Sequence, residues 1–152
     1  MHPIERLTQF TERQAPLLAF RRYTFNLGMT TEQAAKVMLG SAKELGLIER
    51  DHLYGNTLNA WLLPDGKPPM WSLMGAMYWL ESNGWQPSIE HESSDYAWWA
   101  YCKSKRFDTY EAAVETIPTN WPQAVRDEAS AWLHQVMLAK TTRQQTRAVE
   151  QA

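Results

Sequence analysis

The segment DYAWWAYCKSKRF, Asp95 to Phe107, holds four aromatic side chains within six positions and then three cations within four. Rings beside cations can stack bases and hold the phosphates of a single strand, at roughly 1–3 kcal/mol per stacked base. Trp, Tyr and Arg are equally the usual anchors of protein interfaces. The third use is an ordinary core covered by the helices that follow. Cover by a helix beginning at Thr109 or Pro122 ranks first, a protein-binding face second and a nucleic-acid face third. Three cations on one segment make a small electrostatic footprint, and the net charge of −2 gives no long-range attraction to a polyanion.

Other residues with chemical potential are scattered. Glu90, His91, Glu92 and Asp95 lie close together, but no ligand spacing characteristic of a metal site accompanies them. They read as a solvated turn with one partly buried histidine. His2 is near the amino terminus, His52 sits in a charged loop, and His134 has Trp132 as its notable sequence neighbour. No serine lies in a nucleophile-elbow pattern, and Cys102 has no base close by in sequence. Gly40, Gly46 and Gly55 are isolated, so they punctuate elements and build no phosphate loop. Glu111 and Glu115, four apart, repel mildly and mark a solvated face. Neither catalysis nor a cofactor is expected.

One cysteine excludes an internal disulfide and fits a reducing compartment. The first residues, MHPIERLTQF, lack the basic-then-apolar order of a secretory signal. The most apolar run, PPMWSLMGAMYWL, is too short to span a bilayer. A cytoplasmic protein without a membrane partner is the expectation. At 152 residues, 44% apolar and 21% charged, the chain is long enough to bury roughly 68–70% of its unfolded surface. Eight tryptophans serve large cores and interface anchors equally well.

The elements that must position these residues are mainly helices. Pro3 opens a short one carrying Ile4, Leu7 and Phe10. Pro16 opens a second, stopped at Gly28. Thr30 with Gln33 is a capping-box pattern ahead of Ala34, Met38, Ser41 and Leu45, and Gly46 ends that helix. Asn56 is placed to cap a short helix that Pro64 terminates. The segment LPDGKPP is turn chemistry, and Met70 to Ser82 is a helix stopped by Asn83-Gly84. Apolar residues surround that last helix, so it is either central to the core or shared between core and a homodimer seam.

From Trp85 the period changes to two. WQPSIEH and YAWWAYCK alternate, and Glu92 to Asp95 between them suits a hairpin loop. That register puts the more apolar sets on one face, and Trp99, Tyr101, Lys103 and Lys105 on the other with Arg106 nearby. The competing reading is a helix from Ser94 to Lys105. Asp108 or Thr109 then caps a helix ended by Pro118, and Pro122 opens the last long helix with Val125, Ala129, Trp132 and Val136 on one stripe.

These elements predict a mostly α (α+β) fold: about six helices and one small antiparallel hairpin near 85–104. Residues 1–139 are expected to form a single globular domain, and 140–152 a polar tail that is a frayed helix or disordered. Helices at 31–45, 70–82 and 122–139 should form the main core, with Trp71, Tyr78, Trp98 and Trp132 inside it.

The functional expectation is a non-enzymatic protein that binds another macromolecule, first of all a protein or protein complex. Its overall character suits an accessory or inhibitory factor of a phage or plasmid, directed at a bacterial defence complex. The alternative is a small nucleic-acid-binding regulator. It would use Trp99, Tyr101, Lys103, Lys105 and Arg106, or the helix pair at 16–45. In that pair Lys36 and Lys43 are offset by Glu32 and Glu44, which leaves a poor recognition helix.

Overall fold

The computed structural model describes residues 13–88 and 94–151, and among them it contains seven helices and no strand. The helix expected after Pro3 lies outside the described residues. The chain divides into two units, Met1–Gln86 and Pro87–Ala152. Among the described residues, no helix is long and apolar enough to cross a membrane.

The first unit holds α1 (Ala15–Asn26), α2 (Thr31–Glu44), α3 (Gly55–Leu62) and α4 (Met70–Ser82). Local chemistry sets their ends. Gly28, at φ 83°, turns the chain after α1. The Met29 amide then reaches back to the Thr24 carbonyl at 3.0 Å. Thr30 and Gln33 form the full capping box of α2, with bonds of 3.1 and 2.8 Å. Gly46 and Gly84, at φ 74° and 89°, follow the ends of α2 and α4. The start of α3 differs from expectation. Tyr54 occupies the cap position, and the carboxylate of Glu32 on α2 accepts from the Gly55 amide at 2.7 Å. A long-range acid therefore does the work assigned to Asn56.

α4 is the central helix of this unit, with Ser72 through Met77, Trp79 and Leu80 buried. It packs on α2 at Gly75, where an added Cβ would lie 3.0 Å from both the Met38 carbonyl oxygen and the Ala42 Cβ. A larger residue here would force the two helices or their side chains to give way. Trp71 and Tyr78, expected inside the core, are half-buried on the flank of α4; Phe20 of α1 fills the interior against Trp79 at 5.4 Å.

The second unit holds α5 (Ser94–Ser104), α6 (Tyr110–Val114) and α7 (Gln123–Gln151). α5 corrects the expected hairpin. Every residue from Tyr96 to Ser104 is buried, so the segment is covered all round. Such a run has no amphipathic period, and an alternation of apolar residues in it carries no strand signal. Ala97 and Ala100 favour helix, and packing decides the matter. Ile89 and His91, assigned to the partner strand, lie outside the described residues. Trp98 is in the core as expected, whereas Trp132 is half-buried and donates to the Glu128 carboxylate at 3.2 Å. The α7 helix runs through the polar stretch after Ala139 to Gln151.

Candidate interaction face of the second unit

The structure separates the five residues nominated for an interaction surface. Trp99, Tyr101 and Lys103 are covered, at 1%, 8% and 3% exposure, while Lys105 is exposed and Arg106 half-buried. Trp99 packs on Trp121 with ring centroids 5.5 Å apart, and the Lys103 ammonium lies 5.5 Å from the Trp99 ring. Rings this covered leave little area on which a base could stack. Lys105 sits 5.0 Å over the Tyr101 ring, and Arg106 lies 5.2 Å from the ring of Phe107. Cations here rest on aromatic faces, which stabilises them without neutralising them.

A second set of cations joins the end of α5. Lys140 of α7 donates to the carbonyl oxygens of Ser104 and Phe107 at 2.7 and 3.1 Å. One and two turns further along α7 stand Arg143 and Arg147. Tyr101, Ser104, Lys105, Lys140, Arg143, Gln144 and Arg147 line a cleft of about 160 Å³. Of the Lys and Arg residues between 87 and 152, only Arg126 is neither in the segment 103–106 nor in 140–147. Among the described residues, Lys105, Arg143 and Arg147 form no ion pair. The result is a local cationic end on a unit whose net charge is negative, with 7 Lys and Arg against 9 Asp and Glu.

Geometry explains why this end is uncovered. At 1.5 Å per residue, the 29 residues of α7 extend about 43 Å and the 11 of α5 about 16 Å. The longer helix overhangs, and Thr141 to Arg147 are all exposed. Sequence reasoning placed Lys105 and Arg106 here but missed Lys140, Arg143 and Arg147. Their signal was a spacing. Ala129, Leu133, Val136, Lys140, Arg143 and Arg147 follow one another in alternating steps of four and three residues. The switch from apolar to basic residues hid that continuity.

A second cleft of about 230 Å³ is lined by Asp108, Tyr110, Glu111 and His134, among others. The Tyr110 hydroxyl lies 2.6 Å from Ser130 Oγ, and its ring meets His134 edge-on at 5.1 Å. Among the described residues, no group of three or more His, Cys, Asp or Glu is placed to hold a metal ion. Glu90, His91 and Glu92 lie outside them, and the carboxylate of Asp95 accepts from the Ser88 amide at 3.1 Å. Cys102 is buried.

In the first unit, Arg21 and Glu32 of the helix pair considered for nucleic acid are used internally, while Lys36 and Lys43 are exposed. Arg21 donates to the Met29 carbonyl and to Thr31 Oγ1, at 3.2 and 3.3 Å, tying α1 to the start of α2. Glu32 is committed to α3. No protein family, curated protein or solved structure matches the chain.

Proposed function

We propose that this is a non-enzymatic binding protein that docks the cationic end of its second unit onto an acidic surface of a protein partner. The observation that carries the reading is the set Lys105, Arg143 and Arg147, which among the described residues form no ion pair and stand where Thr141 to Arg147 of α7 are all exposed. Like charges four apart on a helix repel by about 0.2–0.5 kcal/mol. An anionic partner reverses the sign of that contribution. The protein would then act by occupancy, as an accessory or inhibitory factor.

Two features favour protein over nucleic acid. The aromatic rings of α5 that would stack bases are covered, and α7 exposes Leu138 and Val149, at 59% and 77%, on a face turned away from Arg143 and Arg147. Exposed apolar side chains on a helix suit a protein interface, whereas a phosphate backbone has no use for them.

The test is recovery of the tagged full chain from a lysate of its own host, with and without nuclease, beside an Arg143→Glu/Arg147→Glu variant. A stoichiometric protein that survives nuclease and is lost with the variant supports the reading. Recovery that depends on nucleic acid, or that the variant leaves unchanged, overturns it.

A further inference from the structure

The core stripe of α7 does not end where its packing partner ends. Ala129, Leu133 and Val136 are fully buried. Lys140, Arg143 and Arg147 continue the same four-three alternation along the helix. A period of 3.5 residues keeps side chains on one face turn after turn, which is the pattern of a seam between two helices. α5 accompanies the apolar part of this seam and stops at Ser104, whose carbonyl receives Lys140. Beyond that point the seam carries on with Arg143 and Arg147, and the end of α5 contributes Tyr101 and Lys105 to the cleft.

We infer that a helix from a protein partner, bearing carboxylates at three- and four-residue spacing, lies on this basic continuation of the α5–α7 seam. The inference rests on the binding role proposed above and adds the form of the partner. Charge complementarity requires an acidic occupant. The straight row of positions requires one whose acids are themselves in a row, as on one face of a helix. The aliphatic stems of Lys105, Arg143 and Arg147 supply apolar surface along the contact, while their heads meet the carboxylates. The overhang from 141 to 147 is about 10 Å long, enough for two turns of the partner. Binding is therefore expected to be modest and to weaken as salt rises.

The test uses the full chain and fluorescence anisotropy with three probes. The first is an Ala-rich peptide of about 20 residues, long enough to hold helix, with Glu in alternating three- and four-residue steps along one face. The second has the same composition with Glu distributed around the helix, and the third is a single-stranded oligonucleotide. The expected result is about tenfold tighter binding of the first peptide than of the second, lost in Arg143→Glu/Arg147→Glu and kept in Arg126→Glu. Equal binding of the two peptides, no binding of either, or tighter binding of the oligonucleotide overturns the inference. The peptide comparison uses the unaltered protein, so it stands whatever a variant does to folding. A lysate partner that depends on Arg143 and Arg147, together with equal binding of both peptides, would leave the docking role in place and remove the helical geometry.

Discussion

The ammonium of Lys140 caps the end of α5 by donating to the carbonyl oxygens of Ser104 and Phe107, at 2.7 and 3.1 Å. The last carbonyls of a helix have no partner within it, and a partly buried cation is a strong donor for them. Lys140→Met keeps the stem and removes both bonds. It should cost about 1–3 kcal/mol, read as a lower midpoint in urea unfolding. An unchanged midpoint would show that water serves these carbonyls equally well.

Tyr96 is buried, and among the described residues its hydroxyl has no hydrogen-bond partner. Burial, and then the charges of Glu128 and Asp95, push its phenol above the ordinary value of 10.0. The folded protein therefore keeps the proton at a pH where the unfolded chain releases it. Stability from this group is fully present below the unfolded value and is lost as pH rises through the folded one. Tyr96→Phe should flatten that alkaline loss. Near neutrality it should be neutral or stabilising by up to about 1 kcal/mol, because it removes an unsatisfied group. Thermal melts of both proteins between about pH 8 and pH 11 test this, and an equally steep decline in both would refute it.

Gly75 lets α2 and α4 approach, with the Met38 carbonyl oxygen and the Ala42 Cβ each 3.0 Å from where a side chain would begin. Gly75→Val should destabilise by about 1–3 kcal/mol through overpacking. A denaturant titration showing no loss would mean that the two helices separate without cost.

The buried amide of Gln14 donates to the carbonyl oxygens of Leu63, Pro64 and Gly66, at 3.1, 3.3 and 2.7 Å. One side chain thus closes the turn that follows α3. Gln14→Leu should cost about 1–3 kcal/mol, with faster hydrogen exchange confined at first to the neighbourhood of Gly66. Exchange that is unaltered there would argue for another support of the turn.

Arg143 and Arg147 are exposed and, among the described residues, form no ion pair, so their loss should not weaken the fold. Arg143→Ala/Arg147→Ala is expected to leave unfolding free energy within about 0.5 kcal/mol of the parent. Helix content by circular dichroism should hold or rise slightly as repulsion disappears. A large drop in stability would mean that the two arginines serve packing, contrary to the binding role.

Much of the architecture was legible because it is encoded locally. Thr30 and Gln33 announce the start of α2, Pro64 ends α3, and Asn83-Gly84 ends α4 at the residue expected. The interaction face was legible in halves. Lys105 and Arg106 stood out as cations after an aromatic run. Lys140, Arg143 and Arg147 were assigned to a tail because apolar periodicity fades at Ala139, although their spacing does not change. The tryptophans misled for a related reason. Trp71 and Trp132 are large enough to promise a core, yet an amphipathic ring is stable half-buried with its N–H or edge at the surface.

The sequence by itself determined where most helices begin and end, since caps, prolines and positive-φ glycines act within a few residues of themselves. Only tertiary structure decided that Ser94–Ser104 is a helix: buried throughout from Tyr96 to Ser104, it carries no period by which helix and strand differ. Tertiary structure also brought Lys105 to Arg143 and Arg147, about forty residues away in the chain. That meeting depends on α7 outrunning α5, a difference of length that no local pattern records.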